Sequence, residues 1–426
     1  MADGALSASD RSGRAPRRWG RPAAGERERP GARARWRRLP PAAQVAVLYV
    51  LARAVTTVML LVAAQLSGPG SRFGEDATIG SFVMGWDAEW YSFIAGFGYP
   101  SELPRDDAGN VTTNQWAFMP LYPALAKVVG LGDYAAGALV VSLVAGYLAA
   151  LVLFTLLRGR VGSTEAAWAV VFFVNGPLAA LFQIGYAESL FLLWLFLALR
   201  CVQERRFGWL YALIPLMGYT RPGVLAFSLF LALYGIWRWS RRRHDMLRTR
   251  EVVHIVATGL LAAAVGFSWQ LIAGAVTRDP AGYLETELSW RRAWTGEAGG
   301  FVPFDGFVQA AAIWFRLWGL PEAWGYVALA VGVAATAALL LFAPPVKRLG
   351  AEVRLWSASY LLYLLAVFFP QSSLFRLLVP LSPLFGALAA PRSTPWRIGV
   401  LVACLVGQWW WIYNMFALAS TYFQIP

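Results

Sequence analysis

The chain has 426 residues, is 58% hydrophobic and only 14% charged, and carries a net charge of +13 with a mean hydropathy of +0.51. These values exclude a soluble globular domain. Apolar runs of roughly 15 to 25 residues recur along it, without the short alternating segments of a β-barrel, so the expected class is an all-α polytopic membrane protein. Two cysteines, Cys201 and Cys404, lie in or beside apolar runs and have neither metal-ligand spacing nor a disulfide pattern.

Residues 1–40 hold 11 arginines against four acids, among many Pro, Gly and Ala. Such a segment cannot bury a core and is expected to be a disordered basic tail, cytoplasmic and close to anionic headgroups. It has no signal-peptide pattern. The remainder, 41–426, reads as one transmembrane domain.

Eleven spans are expected, at about 42–66, 134–157, 165–181, 187–203, 207–220, 222–238, 252–276, 324–343, 355–370, 374–390 and 396–418. With the N-terminus inside, arginine collects in every cytoplasmic connection, above all from Arg238 to Arg250. Of the 24 acids, five lie beside those connections and 15 fall on the opposite side. Two large outer loops follow, at 67–133 and 277–323. Arg206 to Arg221 is 15 residues, about 22 Å as helix against a core of about 30 Å, so Arg221 is expected below the outer surface in a cavity. The breaks Asn175-Gly176-Pro177 and Gly185 to Ser189 point to the same cavity, because irregular backbone at membrane depth must line one. His244 and His254 flank a basic loop and suggest no chemistry.

The first outer loop carries the densest signal. As a helix, 85–97 places Trp86, Trp90, Phe93, Ile94 and Phe97 on one stripe, which predicts an interfacial helix lying on the membrane. Asp87 and Tyr91 flank that stripe on one side. Glu89 lies roughly 160° from Asp87, a poor arrangement for a shared metal. Asp87 is the candidate general base for an acceptor hydroxyl; the bland alternative is an interfacial acid satisfied by helix N-terminal amides. Trp116 to Pro123 reads as a bent aromatic lead into the second apolar block.

Taken in order, these pieces resemble the PIG-V family, the second mannosyltransferase of GPI-anchor assembly, and its bacterial relatives. The matching elements are Trp86-Asp87, Ile94-Ala95, Gly98-Tyr99, Phe118-Met119-Pro120-Leu121-Tyr122-Pro123, Asn175-Gly176-Pro177, Tyr186 to Phe191, Thr220 to Gly223, and Phe375-Arg376. The resemblance covers roughly 80–390. It implies a GT-C fold and an inverting transfer of mannose, or a related sugar, from a polyprenyl-phosphate donor to a glycolipid or cell-envelope glycan on the outer face. It also implies metal independence with no cofactor, and Asp87 as catalytic residue; no nucleic-acid partner is expected, because a basic tail beside a membrane span is a topological signal. Phe118-Met119-Pro120 departs from the family's frequent Phe-Phe-Pro, and no outer-side histidine exists.

A phosphate-bearing donor needs guanidinium, for which Arg221 and Arg376 are the first candidates and Arg291 and Arg292 the next. Glu188 pairs with Arg221 or lines the cavity; Tyr91, Tyr122 and Glu89 complete the candidate substrate-binding set. The rival classes are a lipid-linked-sugar flippase, which should show internal repeats and mid-membrane charges, and a non-catalytic envelope-assembly scaffold. Arg outnumbers Lys by 35 to 2, a composition that points to a GC-rich bacterium and so to the plasma membrane, with the site facing outward.

Overall fold

Apolar helices long enough to cross a bilayer dominate the computed structural model, which describes residues 36, 39–296 and 299–420. Among the described residues five helices qualify by length and composition: Pro41–Gln65, Tyr134–Val161, Thr249–Thr277, Glu322–Phe342 and Thr394–Leu418. Among the described residues the only β pairing is one isolated bridge between Arg105 and Val111. The expected tail at 1–40 lies almost wholly outside the described residues. Residues 41–426 form one unit.

Most other expected spans are shorter helices: Ser163–Val174, Glu188–Gln203, Leu210–Gly218, Val224–Ser240 and Ala351–Val367. The expected span at 374–390 is not one helix. It divides into a turn at Leu374–Leu377, a 3-10 segment at Val379–Leu384 and a turn at Phe385–Leu388. Pro380 and Pro383 remove the backbone donors that a continuous helix would need there.

The helices pack closely because small residues let backbones approach. A Cβ on Gly137 would fall 2.1 Å from the Ala126 carbonyl oxygen, and one on Gly146 2.5 Å from the Tyr49 hydroxyl. The helix Tyr134–Val161 buries Ala138, Ala145, Ala149 and Ala150 along that contact. Asp133 caps its start by accepting the Ala136 N–H at 3.0 Å.

The break after Val174 is made tolerable by Arg53, a buried arginine inside the first long apolar helix. Its guanidinium donates to the carbonyls of Val174 and Ala179, both at 2.5 Å, and lies 3.4 Å from Gln183 Oε1. Carbonyls freed by a broken helix are thus met without water. Arg53→Leu strips two buried acceptors of their donor, at about 1–3 kcal/mol each. A loss of about 3 kcal/mol or more is expected in thermal denaturation in detergent; a melting temperature equal to wild type would show that those carbonyls have other partners.

Two loop regions carry the remaining helices. The first contains Ile79–Val83, Asp87–Phe97 and Leu121–Gly130; the second contains Gly282–Thr295 and Asp305–Leu317. The helix Asp87–Phe97 starts one residue later than a full aromatic stripe requires and buries Ala88, Tyr91 and Ile94 instead. Phe93 and Phe97 remain exposed, and Trp90 stacks on Phe118 at 5.9 Å. Tyr91, expected on the flank, is therefore on the buried face, because Phe118 and Tyr122 pack against it at 5.3 and 5.1 Å.

Candidate active site

Four charged side chains from four separate segments meet beside the start of the helix Asp87–Phe97. Arg376 is ion-paired through Nη1 with Asp87 Oδ2, and its Nε lies 3.3 Å from Glu188 Oε1. Arg221 Nη1 reaches the same Glu188 oxygen at 3.1 Å. Glu188 is almost fully buried, Arg221 and Arg376 are nearly so, and Asp87 is about one-fifth exposed. The order is thus a chain: Asp87, Arg376, Glu188, Arg221. The Glu188 Oε1 and Arg376 Nε contact is close but poorly aligned, and neither atom completes a hydrogen bond.

Local sequence explains each placement. Trp86, just before Asp87, has φ 57° and ψ −122°, a conformation that costs a non-glycine residue about 1–3 kcal/mol. It is held there by its indole N–H, which donates to Met415 O at 2.9 Å, and by Arg72, 4.8 Å over its ring. Glu188 starts its helix after Gly185, whose missing side chain matters: a Cβ would sit 2.7 Å from Val83 O and 3.1 Å from the Ala88 methyl. That approach brings Tyr186 to the site, where its hydroxyl accepts the Asp87 N–H at 3.4 Å and its ring lies 5.1 Å from the Arg376 guanidinium. Arg221 lies in the bend after the helix Leu210–Gly218, and Gly223, at φ 134°, turns the chain into the next helix. The short turn bearing Arg376 is anchored by the Tyr360 hydroxyl, which donates to Leu377 O at 2.7 Å, and by the Trp356 indole, which donates to Pro380 O at 3.0 Å.

Tyr91 stands against all four charges. Burial, with Glu188 and Asp87 adding to it, holds its phenol well above the ordinary range, so it remains a neutral donor. The other sequence candidates lie elsewhere. The Tyr122 hydroxyl is buried and donates to Ala138 O at 3.1 Å, with Ser142 Oγ at 3.0 Å; Ser142 in turn donates to Ile184 O at 2.7 Å. Tyr122 therefore braces the segment that presents Tyr186 and Glu188. Glu89 pairs with Arg72 at 2.7 Å, both partly exposed, away from Asp87's partner. Arg291 pairs with Asp305 and donates to Gln309 Oε1 at 3.1 Å. Arg292 donates to Val111 O at 2.9 Å.

One acid escaped the sequence reading. Glu287, on the helix Gly282–Thr295, reaches solvent yet is walled by protein, and that burial pushes its carboxyl up to about 7, opposed by a hydrogen bond with Tyr283. Tyr363, half-buried, interacts electrostatically with both Glu287 and Arg221. One turn along, Trp290 packs edge-on to Phe118 at 6.1 Å. The spacing 283, 287, 290 on one helix face was the available signal.

A carboxyl raised by burial favours folding while protonated, and that advantage is present at low pH and lost as pH rises from about 4.5 through about 7. Glu287→Gln, which cannot ionise, is expected to gain stability relative to wild type between pH 5 and pH 8. A constant difference in melting temperature across that window would show that Glu287 is fully hydrated.

No family model matches the sequence, and no curated protein does. Among solved structures the chain is similar to ArnT from Cupriavidus metallidurans bound to undecaprenyl phosphate, with a TM-score of 0.44 and 18% identity. That match covers 83% of this chain and 62% of ArnT. It is also similar to the oligosaccharyltransferase AglB from Archaeoglobus fulgidus with an inhibitory peptide and a dolichol-phosphate, at TM-score 0.41 and 14% identity over 88% of this chain and 56% of that one. A third structure, the Archaeoglobus fulgidus oligosaccharyltransferase with Zn and sulfate, matches at TM-score 0.42 and 13% identity, over 86% of this chain and 53% of that one. The chain therefore spans less than two thirds of the length of each.

The zinc complex overturns the expectation of metal independence, which is withdrawn. The residues of this site do not form a metal set as they stand: Asp87 and Glu188 are both held by arginine. Among the described residues no three His, Cys, Asp or Glu side chains gather in one place. A cation would have to displace a guanidinium to enter.

Proposed function

We propose that the protein is a GT-C-type inverting glycosyltransferase that moves mannose, or a related sugar, from a polyprenyl-phosphate carrier to a hydroxyl of a glycolipid or envelope glycan. The reading places the spans in the plasma membrane and the site on the extracytoplasmic face. The observation that carries it is the Asp87–Arg376–Glu188–Arg221 chain, which joins a carboxylate to two guanidinium groups beside helices of membrane-spanning character.

The chemistry follows from that order. While Arg376 holds Asp87, the oxygen that would take a proton is occupied. A phosphate arriving beside Arg376 and Arg221 offers a stronger bidentate partner, and drawing Arg376 toward it frees Asp87. The acceptor O–H then gives its proton to Asp87 as its oxygen bonds to the anomeric carbon from the face opposite the phosphate. The bond from that carbon to the phosphate oxygen breaks, and its electron pair leaves on the polyprenyl phosphate, where the two arginines meet the developing charge. Inversion at that carbon turns a β-linked donor into an α-glycoside. Tyr91 and Tyr186 wall the reacting centre.

The test is sugar transfer from synthetic polyprenyl-phosphate mannose to membrane-extract acceptors in detergent, with EDTA in one arm and added Zn²⁺ or Mn²⁺ in others. Transfer in any arm supports the reading, and the difference between arms measures the part a metal plays. A folded wild-type protein that transfers from none of the mannose, glucose or arabinose carriers would instead favour the flippase reading.

A further inference from the structure

At the arginine-rich end of the molecule, the helices Val224–Ser240 and Thr249–Thr277 leave an open groove of about 490 Å³ between them. Its walls are almost wholly apolar, from Ser228 and Gly259 at one end to Trp239, Leu247 and Val252 at the other. Its depth comes from small residues: nothing lies within 4 Å of a Cβ on Gly259 except the Leu231 Cβ at 3.8 Å, and Ala232 and Gly235 are beside it. Eleven residue steps separate Ser228 from Trp239, roughly 16 Å of helix. One leaflet of hydrocarbon is about 15 Å thick. The groove therefore has the length of a single acyl chain, with its Trp239 end at headgroup level.

Charge at that end is unbalanced. The two acids of the connection, Asp245 and Glu251, are taken by Arg205 and Arg238. Arg241, Arg242, Arg243, Arg248 and Arg250 remain, all exposed. Arg242 lies 4.1 Å over the ring of Trp239, a groove-lining residue, so its guanidinium sits at the rim. Arg241 lies 5.7 Å over the neighbouring Trp237, which does not line the groove.

We infer that this groove is a binding site for an anionic diacyl phospholipid of the leaflet on the arginine-rich side. One acyl chain lies along Gly235 and Gly259, and the phosphate sits among Arg241, Arg242 and Arg243. A zwitterionic lipid offers the same tail but a headgroup whose ammonium these arginines repel. The site is independent of the sugar-transfer chemistry.

The experiment is native mass spectrometry of the full chain released from detergent, titrated with phosphatidylglycerol or with phosphatidylcholine of identical acyl chains. Wild type is expected to bind phosphatidylglycerol about ten-fold more tightly. The triple variant R241Q/R242Q/R243Q is expected to lose that preference. Ala232→Phe, which fills the groove, should weaken both lipids. Arg158→Gln, an exposed arginine away from the groove, should change neither, and equal melting temperatures in phosphatidylcholine establish that each variant folds. Ala232→Leu replaces the Phe variant if the latter does not fold. Equal binding of the two lipids by wild type overturns the proposal, as does a preference that survives in the triple variant. Glycerol phosphate binding as tightly as the whole lipid would also overturn it, because the groove would then contribute nothing.

Discussion

Asp87→Asn is expected to reduce sugar transfer by about 10²- to 10⁴-fold while leaving the fold intact. The substitution keeps the shape of the side chain and an oxygen that can still accept from Arg376, so the ion-pair chain loses a charge but no contact. What it removes is the ability to take the acceptor's proton. Donor binding should survive, because the phosphate partners are the arginines. The measurement is initial rate at saturating donor, together with the melting temperature of the variant. Transfer that persisted in a folded Asp87→Asn protein would assign the base to another carboxylate. Glu287, whose carboxyl is pushed up to about 7, would be tested next, with Glu89 after it.

Arg376→Leu is expected to be the most damaging single change at the site. It leaves Asp87 with no cation and Glu188 with Arg221 alone. Breaking a buried pair from one side costs about 3–5 kcal/mol, because the remaining charge is uncompensated. The lower end applies here, since Asp87 is partly exposed. Arg376→Lys keeps the charge but not the fork, and cannot hold two carboxylates at once; it should fold better than the Leu variant and still transfer poorly. In the double variant D87N/R376L most of the stability should return, and the coupling energy of that cycle measures the pair. A double variant no more stable than Arg376→Leu alone would mean that the loss came from packing against Tyr186, not from charge.

The sequence made some of this legible and hid the rest for physical reasons. Charge placement pointed to the segments 67–133 and 277–323, which carry short helices, and the short reach from Arg206 to Arg221 pointed to a buried Arg221, which Glu188 meets at 3.1 Å. Two features had a signal that a periodicity reading passes over. Arg53 is a charge in the middle of an apolar run, and such residues ordinarily have a buried task. Pro380 and Pro383 sat inside the expected span at 374–390 and were enough to break it. Tyr122 sits in an aromatic motif beside the site, yet a hydroxyl directed at Ser142 cannot be read from spacing. Glu287 is a different case. Its place on one helix face with Tyr283 and Trp290 is legible in the spacing, but its proton affinity depends on which distant segments lie around it.

The separation of the site's parts along the chain has a consequence for biogenesis. Asp87 is joined to a residue 289 positions later, and the indole that fixes the strained backbone beside it is anchored 329 positions away, in the last helix. A chain emerging from the ribosome therefore carries Asp87 unclamped through the insertion of the helices that lie between it and Arg376. Assembly of this charged corner must wait until Arg376 has been made. A product truncated before Arg376 would display one unmatched acid, Asp87, while Glu188 keeps Arg221, a state that quality-control proteases can distinguish from the full fold.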